Sequence, residues 1–394
     1  MTVDSLIDLK YKNLKSIIDY IRFRDSSTKR EVARELNLSF ATVSNMVNGF
    51  ISQGLVIETE ADTVKYVGRY PKYISLAPMR YGIVTVDLHA SGEMLFSLVD
   101  LKCAIRARER FETQPYENIA GYIAQIRNGY LTFLKNAGYE EENVLGVGAV
   151  ISGTYDAKSD RMVGTARQAF LNQPFRRLIS EAVGKPVCVE NDANLAAYYR
   201  AFALGCANLI YVYMGDGIGM GVVSGNDIML GARGYSAEIA HVPMGTLARV
   251  CPSCGNHNCL QTDLSRNGFL SKARGELIDW DAPLDTAWGA YVAALEQAEP
   301  HAVAAARENA ALLARTLSIA QAVTRPQIIM FGGLPRVLYE IIVPFLEAEI
   351  NSRVPLEPAV DFAFDEDSLV TFAKGAAEMV YARWHPDLTA SAES

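Results

Sequence analysis

Residues 241–261 read HVPMGTLARVCPSCGNHNCLQ, the stretch that most constrains how this chain can fold. One His is followed by three Cys, at 241, 251, 254 and 259, whereas Cys103, Cys188 and Cys206 are scattered. Thiolate sulfur and imidazole nitrogen are ligands that zinc prefers. Four suffice for a tetrahedral structural site, and C-x2-C lets a tight turn aim two sulfurs at one ion. Gly255 follows the second Cys, where the turn calls for positive φ or a close backbone approach. The spacing favours one structural Zn2+ over its competitors, a disulfide or three unrelated buried thiols. His257, inside the Cys cluster, rivals His241 as the fourth ligand.

Composition bounds the rest. With 394 residues, 50% hydrophobic and 21% charged, the chain is an ordinary globular one, long enough for two or three domains. No apolar run approaches the roughly 20 residues that span a bilayer. The N-terminal MTVDSLIDLKYK has no apolar signal-peptide core. A metal-type Cys cluster without targeting signals predicts a cytoplasmic protein with no membrane segment. Residues 1–75 hold 11 Lys+Arg against 9 Asp+Glu, and the remainder 26 against 36. A slightly basic head on an acidic body suits a small nucleic-acid-binding module attached to something that does not bind nucleic acid.

The head carries the matching pattern. TKRE at 28–31 is a capping box, with Thr28 capping and Glu31 reaching back. Val32, Ala33 and Leu36 then form a helical stripe, Asn37 suits the left-handed exit, and Ser39 caps a second helix with Val43, Met46, Val47 and Phe50 inside. A first helix is predicted at about 14–22. Two helices joined by a short turn read as a helix-turn-helix, although plain bundles contain helical hairpins too. Its second helix would turn Ser39, Phe40, Ala41, Thr42, Ser44 and Asn45 toward DNA. Two β-rich runs flank Glu60-Ala61-Asp62, predicting a hairpin wing whose Lys65 and Arg69 meet phosphates, with Lys72 adding charge. The GRYP segment at 68–71 reads as part of that wing or as a stiff linker leaving it.

From Tyr81 the pattern alternates β-rich runs with helix-like stretches such as 119–137 and 302–322, which predicts an α/β body. Ligands in such folds sit at Gly-rich strand ends. One such end is Glu190-Asn191-Asp192-Ala193-Asn194, where Asp192 can accept a sugar hydroxyl's proton or merely bind it, or where the group simply caps a helix. A second is GDGIGMGVVSG, a backbone bare enough for a phosphate nest or for a tight hairpin. Glu238 and His241, three apart, share one face if helical.

Taken in order, the winged head ending in GRYP, then PVCVENDAN, MGDGIGMGV, GYSAEIAH, the Cys cluster and MFGGL resemble the ROK family of repressors, open reading frames and sugar kinases. The resemblance spans essentially the whole chain. It implies a winged helix-turn-helix at 1–76 and a sugar-sensing body at 77–394. That body would have a two-lobed, actin-like (ribonuclease H-like) fold of the hexokinase type, with its cleft near 190–261. By position, Asn191, Asp192, Glu238, His241 and Gln261 look like sugar-binding residues, and His241, Cys251, Cys254 and Cys259 like the zinc ligands. In the repressor branch a sugar or sugar phosphate releases operator DNA from a homodimer or tetramer, while some members answer to a partner protein.

Departures from the family separate the readings. The first two cysteines, usually one residue apart, are split here by Pro252-Ser253, and a sugar-contacting glutamate is Gln261. The kinases' first phosphate loop, D-x-G-G-T, is Asp87-Leu88-His89-Ala90-Ser91, and the usual Thr of the second is Asp216. Without both glycines the backbone cannot wrap ATP phosphates, and a carboxylate there opposes anions. The sequence therefore predicts a sugar-responsive DNA-binding regulator rather than an enzyme. The alternatives are a sugar kinase with an appended head and a repressor controlled by a protein partner.

Overall fold

The computed structural model describes residues 3–60, 72–89, 92–165, 167–353 and 359–386. Its first helices are α1 (Val3–Arg22), α2 (Lys29–Glu35) and α3 (Phe40–Ser52). The stretch expected at 14–22 is the C-terminal half of α1, the half whose Leu14, Ile17, Ile18 and Ile21 are buried. The capping box forms as expected: Thr28 Oγ1 accepts from the Glu31 amide at 3.2 Å, and Glu31 Oε2 from the Thr28 amide at 2.7 Å. Asn37 takes φ 53°, and Ser39 caps α3 by accepting from the Thr42 amide at 3.0 Å. Val43, Val47 and Phe50 point inward against α1, with Met46 packed beside them.

Short strands β1 (Ser27–Thr28), β2 (Val56–Glu60) and β3 (Lys72–Leu76) form a sheet in the order β1-β3-β2. Antiparallel β2 and β3 pair Glu60 with Lys72, so Glu60 is a strand residue rather than a member of a tight turn. Ala61, Asp62, Lys65, Arg69 and the rest of GRYP lie outside the described residues.

The body's first lobe runs β4 (Gly82–Asp87), β5 (Glu93–Asp100), β6 (Ile105–Glu112), α4 (Ile119–Ala137), β7 (Val144–Ile151), the hairpin β8 (Thr154–Asp156) and β9 (Arg161–Gly164), α5 (Phe175–Val183) and β10 (Val187–Asn191). The second runs α6 (Asp192–Leu204), β11 (Leu209–Met214), β12 (Ile218–Ser224), β13 (Asp227–Ile228), α7 (Leu260–Leu264), α8 (Arg266–Arg274), α9 (Asp285–Glu296), α10 (Pro300–Thr324), β14 (Ile328–Gly332), α11 (Arg336–Arg353) and β15 (Asp361–Phe364), after which α12 (Ser368–Arg383) returns to pack on β7 of the first sheet. Two five-stranded sheets result, β10-β7-β4-β5-β6 and β13-β12-β11-β14-β15. Each is an antiparallel meander whose first strand pairs with the first of two parallel strands, so one topology occurs twice.

Each lobe buries its own apolar cluster. One joins α4 and α5 to the first sheet, and the other joins α8–α11 to the second. A third cluster lies between them, around α6 and α12, and continues into the head. Helix α6 packs on both β12 and α12 at backbone distance. A Cβ on Gly221 would collide with the Ala193 carbonyl, and one on Gly375 with the Leu195 carbonyl. Close packing without voids makes such positions sensitive to a single methyl. Gly375→Ala should therefore destabilise the protein by about 1–3 kcal/mol. Gly289→Ala, mid-helix in α9 where an added Cβ meets nothing within 4 Å, should stabilise it by about 0.5–1 kcal/mol. Urea unfolding midpoints of the two variants check this pair.

Candidate functional site

The ends of β4, β7, β10, β11 and β14 converge on a cleft of about 970 Å³ between the lobes. This is the carboxyl edge at which open α/β sheets place ligands. Asn191, Asp192, Glu238, His241 and Gln261 all line it, so the residues singled out as sugar contacts are brought together.

Their local roles differ. Asn191 is the N-cap of α6: its Oδ1 accepts from the Ala193 amide at 2.9 Å and its Nδ2 donates to Gly153 O at 3.1 Å. The capping reading is thus realised at Asn191, which also ties α6 to the turn after β7. Asp192, the first residue of α6, is 4% exposed and accepts from the Ala193 amide at 2.7 Å. Burial raises its carboxyl to about 6, against the pull of His89. Glu238 accepts from Thr154 Oγ1 at 2.9 Å and precedes a single 3₁₀ turn, Ile239–His241, that turns His241 toward the cysteines. Gln261 donates to Ser253 Oγ at 3.0 Å, and its Oε1 lies 3.5 Å from where a Gly217 Cβ would sit.

The metal-type residues also converge. Ligand atoms of His241, Cys251, Cys254 and Cys259 all lie within 4.8 Å of one another. Cys254 Sγ and Cys259 Sγ are 3.5 Å apart, and Cys251 Sγ and His241 Nδ1 3.8 Å. Tetrahedral zinc, with bonds of about 2.3 Å to sulfur and 2.0–2.1 Å to nitrogen, spaces its ligands at about 3.5–3.8 Å. The donor set therefore fits zinc. All six cysteines are free thiols, and His257 is not in the cluster; its backbone bridges Val250 instead. Gly255 takes φ 73° in the turn, as the C-x2-C-G spacing implies. Asp263, whose side chain is fully buried, holds this loop from beneath, accepting from the Thr246 amide at 3.0 Å and pairing with Lys272 at 2.9 Å.

The glycine run 215–221 is the hairpin between β11 and β12, and its backbone lies against α6. Asp216 does not present a lone carboxylate: Arg266 Nη1 pairs with it at 3.1 Å and Arg266 Nη2 with Asp285 at 2.8 Å.

His89 is the residue that reading the sequence undervalued, noted there only as the loss of a glycine. Its Nδ1 lies 3.3 Å from Asp87 Oδ1 and its Nε2 3.2 Å from Tyr213 Oη, so it bridges the two lobes at the cleft floor. Its ring meets Tyr213 and Phe372 edge-on. Burial opposes its charge, but Asp87, Asp192 and Asp216 outweigh burial and raise its pKa to about 9. Tyr213, Arg266 and Arg167 line the same cleft. Local sequence carries no signal for them, because they reach the site from separate elements.

These shifts predict how stability varies with pH. Asp192 binds a proton more readily folded than unfolded, so the cost of burying it is relieved as pH falls from about 6 toward 3.8. His89, raised, contributes stability that is complete below its ordinary value of 6.5 and is lost as pH rises through about 9. The melting temperature should therefore decline between pH 6.5 and 9, and His89→Gln should flatten that decline. Equal declines in both proteins would mean that His89 is not its source.

The ROK family pattern matches residues 90–360 of this chain. A xylose repressor from Caldicellulosiruptor bescii is 25% identical over 280 residues, 66% of this chain and 64% of that protein, so the match spans slightly under two-thirds of the relative. An N-acetylmannosamine kinase from Citrobacter koseri is 28% identical over 165 residues, 41% of this chain and 54% of the kinase. The crystal structure of a ROK family transcriptional regulator, a homologue of the E. coli Mlc protein, aligns with a TM-score of 0.79 at 18% identity, covering 95% of this chain and 97% of that one. That likeness shows a shared two-lobed, actin-like fold. With the cleft, the His/Cys cluster and the repeated sheet in place, the chain belongs to the ROK family, in the branch that includes the xylose repressors.

Proposed function

We propose that this protein is a sugar-responsive transcriptional repressor in which residues 1–76 bind operator DNA and residues 77–394 sense the effector. The observation that carries the reading is the coexistence of two features in one chain. One is a capped helix-turn-helix with Phe40, Ala41 and Asn45 exposed on α3. The other is an inter-lobe cleft in which His89 meets Tyr213 and the exposed Asp216 pairs with Arg266. The xylose repressors among its relatives point to a neutral aldose as effector. The reading implies a cytoplasmic homodimer that places its two α3 helices in successive major grooves, with Lys65 and Arg69 on phosphates.

A sugar hydroxyl between Asp192 and Glu238 would exchange water for charge-assisted hydrogen bonds worth about 1.5–3 kcal/mol each. Asp192→Ala should therefore weaken binding of D-xylose, or of whichever aldose in a small panel raises the wild-type melting temperature, by roughly tenfold or more. Operator affinity without sugar should stay near wild type. Asn45→Ala, in contrast, should cost about 1–3 kcal/mol of base discrimination without touching sugar binding. Titrating sugar into the protein–DNA complex separates the two; an Asp192→Ala protein that releases DNA like wild type would sink the reading.

The buried Asp192, raised to about 6, favours a second reading, a kinase whose general base it would be. ADP release in a coupled assay with a hexose panel would establish that reading; its absence sustains the first.

We further propose that His241, Cys251, Cys254 and Cys259 hold one structural zinc, which orders the loop bearing Glu238 and Gln261. Elemental analysis of protein purified without chelator should find one zinc per chain. Cys254→Ser should lose it and lower the melting temperature, because zinc binding at such sites is coupled to folding.

A further inference from the structure

We infer that the buried ion pair between Arg22 and Glu378 is the joint through which the body moves the DNA-binding head. This inference rests on the sugar-responsive reading above. Arg22 is the last residue of α1, and its guanidinium meets the Glu378 carboxylate of α12 end-on: Nη1 lies 2.8 Å from Oε2, Nη2 bonds Oε1, and Nε donates to Leu101 O. Both side chains are almost fully enclosed, at 3% and 6% exposure. The same face of α1 makes further contacts to α12. Lys15 Nζ donates to Tyr381 O at 2.6 Å and lies 3.0 Å over the Tyr381 ring, and Tyr381 Oη donates to Asp19 at 2.6 Å. Lys15, Asp19 and Arg22 fall at helical spacings of four and three, so one stripe of α1 grips one stripe of α12.

This grip is the end of a short rigid chain that begins in the cleft. Asp192 opens α6, and three residues later the Leu195 backbone bears directly on Gly375 of α12. Glu378 lies one turn beyond Gly375. On the other side, Leu14, Ile17, Ile18 and Ile21 of α1 share a core with Val32 of α2 and Val43, Val47 and Phe50 of α3. A shift of α6 therefore has no slack in which to dissipate before it reaches the recognition helix. The chemistry of the pair suits this role. For stability alone, apolar side chains of similar volume serve as well as or better than a buried ion pair, whose best-attested use is to fix registry. A two-bond Arg–carboxylate pair tolerates little sliding, so α1 must follow α12.

The test uses the full-length protein with Arg22→Met/Glu378→Leu, which removes both charges and keeps the side-chain volume, beside Glu378→Gln, which leaves Arg22 without a counter-charge. Amide hydrogen exchange across residues 10–22 is measured without sugar. Affinity for a duplex selected in vitro with the wild-type protein is measured with and without D-xylose, D-glucose or N-acetylmannosamine. The double variant should exchange its α1 amides at least about tenfold faster, 1.4 kcal/mol of lost protection. It should bind the duplex within about threefold of wild type. Its release factor should fall toward one from the 5–150-fold that is typical of about 1–3 kcal/mol of coupling. Unchanged α1 exchange, or release by sugar as strong as in wild type, would overturn the joint. If none of the three sugars releases wild-type protein, the sugar reading fails separately and α1 exchange alone decides the joint, faster exchange sustaining it and unchanged exchange overturning it. Should Glu378→Gln fail to fold, the double variant still decides.

Discussion

The contact between α6 and α12 is the constraint on which the rest of the molecule depends. Each sheet covers its outer face with its own helices, and the two lobes meet through this helix pair. Both helices approach neighbouring backbone so closely that Gly221 and Gly375 have no room for a side chain. Packing at that distance leaves no void to absorb a displacement, so the lobes share one rigid seam. The seam begins at Asp192 in the cleft and ends at the surface where the head docks.

Electrostatics at the cleft floor follow from the same geometry. Bringing the ends of β4 and β10 together buries Asp87 and Asp192 at the cleft floor, with the exposed Asp216 nearby. Three carboxylates so placed would repel one another unless cations intervened, and His89 and Arg266 supply them.

Much of the head was legible because its signals are local. A capping box, a residue tolerant of positive φ and a second cap fix helix ends through hydrogen bonds spanning three residues, and Thr28, Asn37 and Ser39 each behave as that chemistry requires. The His/Cys cluster was legible for the same reason, its three thiols lying within one loop. The choice of His241 over His257 was not, since it depends on the 3₁₀ turn after Glu238. The extent of α1 was underestimated because a periodic stripe marks where a helix is buried, not where it begins.

The sequence by itself determined the α/β alternation, the glycine- and carboxylate-rich strand ends and the metal-type donor set, all properties of residue type and short-range spacing. The tertiary structure alone decided that Arg266 shields Asp216, that His89 reaches across to Tyr213, that one sheet topology occurs twice, and that Arg22 closes on Glu378 some 356 positions away. Each of these joins residues far apart in the chain. Charge pairing and burial depend on distance in space, which local periodicity does not encode.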